Sequence, residues 1–89
     1  MPEITLTVRH EVGLHARPAA LFVQTAKQFK CDIKVKHDER EANAKSILGV
    51  LTLGANQGAV ITIRAEGDDA EQALAALEAL VESNFGEEE

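Results

Sequence analysis

Apolar residues recur along this chain with a period of two, then of about 3.6, then of two again, and only alternating strands and helices accommodate such switching. Ile4, Leu6 and Val8 alternate with Thr5, Thr7 and Arg9, as in a strand with one buried face. From Ala16 to about Phe29 the apolar stripe becomes Ala19, Phe22, Val23, Ala26 and Phe29, an amphipathic helix. Cys31, Ile33 and Val35 then alternate with Asp32, Lys34 and Lys36. The polar run HDER (37–40) reads as a turn and residues 40–44 as a short third strand. KSILGVLTLG (45–54) reads as a short helix capped by Ser46 and stopped by Gly54. Alternation returns over 59–66, with Ala59, Ile61, Ile63 and Ala65 on one face. Asp68 and Glu71 match a capping box ahead of Ala70, Ala73, Leu74, Leu77 and Val81, a helix that Gly86 would end. The order β-α-β-β-α-β-α predicts an α+β sandwich: a four-stranded, mainly antiparallel sheet with three helices on one face.

At 89 residues the chain is expected to be a single domain, 1–89, with a frayed acidic tail over 85–89. A lone cysteine, Cys31, leaves no partner for an internal disulfide or a Cys-pair metal site and suits a reducing cytoplasm. The net charge is −6, without a Lys/Arg cluster and with 3% aromatic residues, which argues against nucleic acid as a partner. No apolar run approaches the ~20 residues of a membrane span, and the N-terminus lacks signal-peptide architecture. The expectation is a small cytoplasmic protein that binds no membrane.

The stretch VGLHARPAALF (12–22) carries the chemistry. If a helix starts at Ala16, His15 is its N-cap, and Arg17 and Pro18 lie in the first turn, where proline removes no needed N–H. The backbone N–H groups of Ala16 and Arg17 then have no intrahelical partner, and with the positive end of the helix dipole they form an anion site. Arg17 adds a planar donor fork suited to phosphate oxygens, and Gly13 allows a tight approach of the preceding loop. A neutral imidazole is a nucleophile that accepts a phosphoryl group and hands it on. Spacing alone leaves open the plainer alternative, in which His15 is a solvated cap and Arg17 a surface charge. His10 and His37 have neither an adjacent arginine nor a helix start and are expected to be exposed loop or turn residues. His10, His15 and Cys31 fall on separate elements without ligand spacing, so no metal is expected.

The short helix 45–54 is apolar nearly all round. Val50 and Leu53 suit the core, whereas Ile47, Leu48 and Leu51 either pack under a neighbouring loop or form an exposed docking patch. Ser46 needs no explanation beyond its cap.

GLHARPAALF, followed about thirty residues later by KSILGVLTLG and then by GAVITIRAEG, resembles the HPr family, the histidine phosphocarriers of the bacterial phosphoenolpyruvate-dependent sugar phosphotransferase system. The resemblance spans essentially the whole chain. It implies an HPr-like open-faced β-sandwich. It also implies that Nδ1 of His15 takes a phosphoryl group from enzyme I and passes it to sugar-specific IIA domains, with Arg17 stabilising the phosphate. Docking would fall to Leu14, Ala20, Lys27, Lys45, Ile47, Leu48 and Leu51. Ser46 matches the serine that an ATP-dependent HPr kinase/phosphorylase modifies in many Gram-positive bacteria, where a catabolite-control transcription factor is a further partner. Neither a cofactor nor independent turnover of a small substrate is implied, and the chain is expected to be a monomer. Val12 stands where relatives often carry a polar residue, and Gln24 where many carry a basic one, which leaves Lys27 and Lys45 to supply the basic rim.

Two other classes compete with the carrier and its nitrogen-branch paralogue. A ferredoxin-like metal-chaperone module needs a Cys-x-x-Cys loop where this chain has His15. A self-contained enzyme such as a histidine phosphatase needs a general acid and a substrate pocket.

Overall fold

Alternation along the strands sets the sheet. The structure, a computed structural model, describes residues 2–86. Its strands are β1 (Glu3–Thr7), β2 (Asp32–His37), β3 (Arg40–Asn43) and β4 (Val60–Glu66); its helices are α1 (Ala16–Ala26), α2 (Ile47–Thr52) and α3 (Ala70–Glu82). The sheet order is β1-β4-β2-β3 and every neighbouring pair is antiparallel. The register stacks Leu6 on Ile61, Ile4 on Ile63, Ile63 on Val35 and Ala65 on Ile33, so one face is continuously apolar. The helices cover it with Phe22, Val23, Val50, Leu74, Leu77 and Val81, all buried. Full burial of a side chain of this size stabilises by roughly 1.5–3 kcal/mol. The opposite face carries Thr5 beside Thr62 and Lys36, with the two threonine hydroxyls 3.3 Å apart, and stays in water. The open-faced α+β sandwich expected from the sequence is the observed fold.

Element ends differ from the expectation for reasons of tertiary contact. α1 stops at Ala26 rather than near Phe29 because the chain tightens: Gln28 N–H donates to Thr25 O and Phe29 N–H to Ala26 O, and Lys45 Nζ donates to Phe29 O at 2.7 Å. The Asp68–Glu71 capping box does not form. Asp69 is the N-cap of α3, makes no side-chain cap bond, and instead accepts the N–H groups of Lys30 and Cys31 at 2.8 and 2.9 Å. Gly67 permits this clamp, since a Cβ there would sit 2.8 Å from Cys31 Cβ. The Lys30 amide, above all, holds the Asp69 carboxyl below its ordinary pKa, while burial and then Asp69 itself push the Cys31 thiol up. A carboxylate so depressed adds stability at neutral pH that is lost as pH falls through the acidic range.

At the C-terminal end α3 finishes at Glu82, not Gly86. Asn84 and Phe85 both take φ +59, which swings the Phe85 ring onto His10, centroids 5.8 Å apart at 80°. Phe85 is 3% exposed, so the expected fraying does not reach it; residues 87–89 lie outside the described residues. His10 is likewise buried rather than exposed, and its Nδ1 accepts the Val12 N–H at 3.1 Å. His37 is half-buried, with its ring Nδ1 2.8 Å from Leu53 O. Among the described residues no helix is long and apolar enough to cross a membrane.

Candidate functional site around His15

His15 is the N-cap residue of α1, with extended backbone (φ −129, ψ 164), yet its side chain makes no capping hydrogen bond. The ring is therefore not there as a cap. Ala16, the first helical residue, has φ +49, a left-handed conformation that costs a non-glycine residue on the order of 1–3 kcal/mol. That turn brings the chain from the preceding loop into the helix axis. Pro18 is buried and Arg17 exposed. The half-buried imidazole places Nε2 3.0 Å from Asn56 Oδ1. A carbonyl oxygen only accepts, so Nε2 is the donor in this contact, and in the neutral ring that leaves the lone pair on Nδ1. Asn56 is absent from the sequence expectations; forty-one residues separate it from His15, and nothing in its local pattern marks it.

Backbone contacts fix this arrangement. Leu14 N–H donates to Ala55 O at 2.7 Å. Gly13 has φ +74, and a Cβ on it would fall 2.4 Å from Ala55 O and 2.6 Å from Asn56 Cα. Gly13→Ala is accordingly expected to lose at least about 2 kcal/mol, combining a left-handed backbone with a clash against unyielding main chain; chemical denaturation measures it, and a loss below about 0.5 kcal/mol would show that the two loops separate freely.

The expected docking residues divide. Leu14 is fully buried and belongs to the core cluster, which corrects its assignment as a docking residue: its N–H is tied to Ala55 O and its side chain is out of a partner's reach. Ile47 and Leu48 are 41% and 74% exposed, whereas Leu51 is half-buried and packs against the core with Val50 and Leu53. Ala20 is half-buried and Lys27 exposed. Lys45 is tethered through Nζ to Phe29 O, which narrows its use as a rim charge. Ser46 caps α2, its Oγ accepting the Gly49 N–H at 3.1 Å. α1 and α2 pack against each other. An open groove of about 690 Å³ lies elsewhere, between His37, Asp38, Glu39, Arg40, Leu53 and Gly54, and contains none of the His15 residues. Among the described residues no three His, Cys, Asp or Glu side chains converge as metal ligands would.

A half-buried imidazole at a helix N-terminus, two residues from an exposed arginine, suits group transfer between proteins. A family model described as "PTS HPr component phosphorylation site" matches residues 2–83. The chain belongs to the HPr family. It is 46% identical over 88 residues to the phosphocarrier protein HPr of Xylella fastidiosa, covering 99% of each chain. Its fold matches a crystal structure of HPr-C-His from Thermoanaerobacter tengcongensis with a TM-score of 0.97 at 54% identity, over 100% of both chains. A structure described as an HPr dimer from the same organism matches at 0.79 with 54% identity, over 98% of this chain and 100% of that one. HPr chains thus form a dimer in that case, and a monomeric state does not follow from membership. HPr proteins are phosphocarriers of the phosphotransferase system, and proteins of that system are their partners.

Proposed function

We propose that this chain carries phosphoryl groups in cytoplasmic sugar uptake, acting as a single-domain monomer. Nδ1 of His15 attacks phosphorus on phosphorylated enzyme I, the N–P bond forms as the donor's bond to phosphorus breaks, and the reverse attack by a sugar-specific IIA domain discharges it. The observation supporting this reading is an uncapped imidazole, with its Nδ1 lone pair, at the N-terminus of α1 and two residues from Arg17. The Ala16 and Arg17 N–H groups and the helix dipole favour the phosphoryl oxygens, and the guanidinium matches their planar arrangement. Incubation with phosphoenolpyruvate and enzyme I, read by mass spectrometry, is expected to add one acid-labile phosphoryl group. A bound metal ion, or phosphate released from small esters, would point to another class.

Ser46 is proposed as a regulatory phosphorylation site for an HPr kinase/phosphorylase, a catabolite-control transcription factor being the further partner that would read it. Its hydroxyl caps α2 next to the exposed Ile47 and Leu48, which are proposed with Ala20, Lys27, Lys45 and Leu51 as the docking surface. Aspartate is as good an N-cap as serine, so Ser46→Asp should keep its thermal stability. A partner closing over that apolar patch must desolvate the added charge, and the Michaelis constant of enzyme I should rise several-fold, with partial recovery at high salt. Unchanged enzyme I kinetics would leave Ser46 as a cap alone.

A further inference from the structure

We propose that Asn56 is a positioning residue for phosphoryl transfer: its side-chain carbonyl holds His15 in the Nε2–H tautomer and so makes Nδ1 the nucleophile. The consequence for transfer rests on the carrier reading above; the geometry does not. A neutral imidazole has two tautomers, and its unprotonated nitrogen is the one that attacks. Asn56 Oδ1, 3.0 Å from Nε2, accepts a hydrogen bond from one tautomer and meets the other lone pair to lone pair.

The backbone that carries the Asn56 side chain is held without help from the bond that side chain makes. Leu14 N–H donates to Ala55 O, Gly58 N–H to Val8 O, Val8 N–H to Ala59 O and Ala59 N–H to Asn56 O, all between 2.7 and 2.9 Å. The 55–59 turn is thereby fastened to both ends of the loop that leads into His15, and Gly13 lets the two backbones touch. Replacing the Asn56 side chain removes none of these contacts, so the loop geometry survives the substitution.

The bond also acts during the reaction. As Nδ1 forms its bond to phosphorus, the electron pair leaves with the donor group, the proton stays on Nε2, and the ring becomes imidazolium-like. A carbonyl dipole on that proton stabilises the developing charge. In the free protein Asn56 is exposed and the bond competes with water. A docked partner that excludes water strengthens it.

The test compares wild type, Asn56→Ala and Asn56→Asp by ring-nitrogen NMR of His15 in isotopically labelled protein, without any partner, and then by enzyme I-dependent labelling. Wild type should show protonated Nε2 and unprotonated Nδ1. In Asn56→Ala the two ring signals should move toward each other as the tautomers mix, and the maximal labelling rate should fall about three- to tenfold, the worth of one neutral hydrogen bond, at unchanged melting temperature. Asn56→Asp keeps an acceptor and should restore the wild-type tautomer. Ring signals in Asn56→Ala that coincide with wild type overturn the proposal, even if labelling slows, because Asn56 would then act only as a partner contact. If wild type takes no label at all, the carrier reading fails by itself, and the ring signals still decide whether Asn56 sets the tautomer.

Discussion

His15→Ala is expected to remove all phosphoenolpyruvate-dependent, acid-labile labelling while leaving the protein folded. Alanine offers no nucleophile, and the other two imidazoles are committed elsewhere: His10 is buried beneath Phe85 with Nδ1 taking the Val12 N–H, and His37 Nδ1 is 2.8 Å from Leu53 O. The His15 ring makes no cap bond, so the helix loses only the contact with Asn56, a net of about 1 kcal/mol at most. His37→Ala should label at nearly the wild-type rate. His10→Ala should also label, but with a stability loss of about 1–3 kcal/mol, because it strips packing from Phe85 and leaves a part-buried N–H without its acceptor. Labelling assays paired with thermal melts separate these effects. Acid-labile label persisting on His15→Ala would move the acceptor elsewhere.

The fold was legible because period-two and period-3.6 segments are long enough here to be told apart, and because the buried residues of β1, β2 and β4 are all aliphatic. What the sequence hid depends on contacts distant along the chain. Asp68 and Glu71 have capping-box spacing, but the amides of Lys30 and Cys31 claim Asp69 from across the molecule, and no local pattern announces that competition. His10 reads as a loop residue until Phe85 folds back at an unusual left-handed pair of residues. Leu14 lies in the most informative motif of the chain, yet it is a core residue. His15 was legible as a candidate from its place at a helix start beside Arg-Pro, but spacing alone left a solvated cap open, and it was the resemblance to the HPr family that favoured the acceptor. That the ring does not cap is visible only in the structure. Asn56 was not: an asparagine between Gly54 and Gly58 looks like turn chemistry, and only the closure of the 55–59 turn onto Gly13 brings it to the imidazole.

Arg17→Ala should slow transfer by about 10²- to 10³-fold, the usual loss when one donor to a developing anion is removed. The transferring phosphoryl group spreads its charge over three equatorial oxygens in one plane, and a guanidinium presents its donors in a plane as well. Arg17 is exposed in the free protein, where water screens it, so its removal should shift stability by no more than about 0.5 kcal/mol. Its influence grows when a partner excludes water from the His15 mouth, since two charges at the same separation then interact several times more strongly. The loss belongs to the transition state and should appear in the rate of the chemical step more than in partner affinity. Transfer from enzyme I to His15 and the reverse cross the same barrier top, so both directions should slow by the same factor. Arg17→Lys keeps the charge without the fork and should recover only part of the rate. Rapid-quench measurement of a single turnover in each direction separates chemistry from docking. If Arg17→Ala transfers at the wild-type rate both ways, Arg17 is a surface charge, and stabilisation of the phosphoryl oxygens must come from the Ala16 and Arg17 backbone N–H groups and the α1 dipole alone.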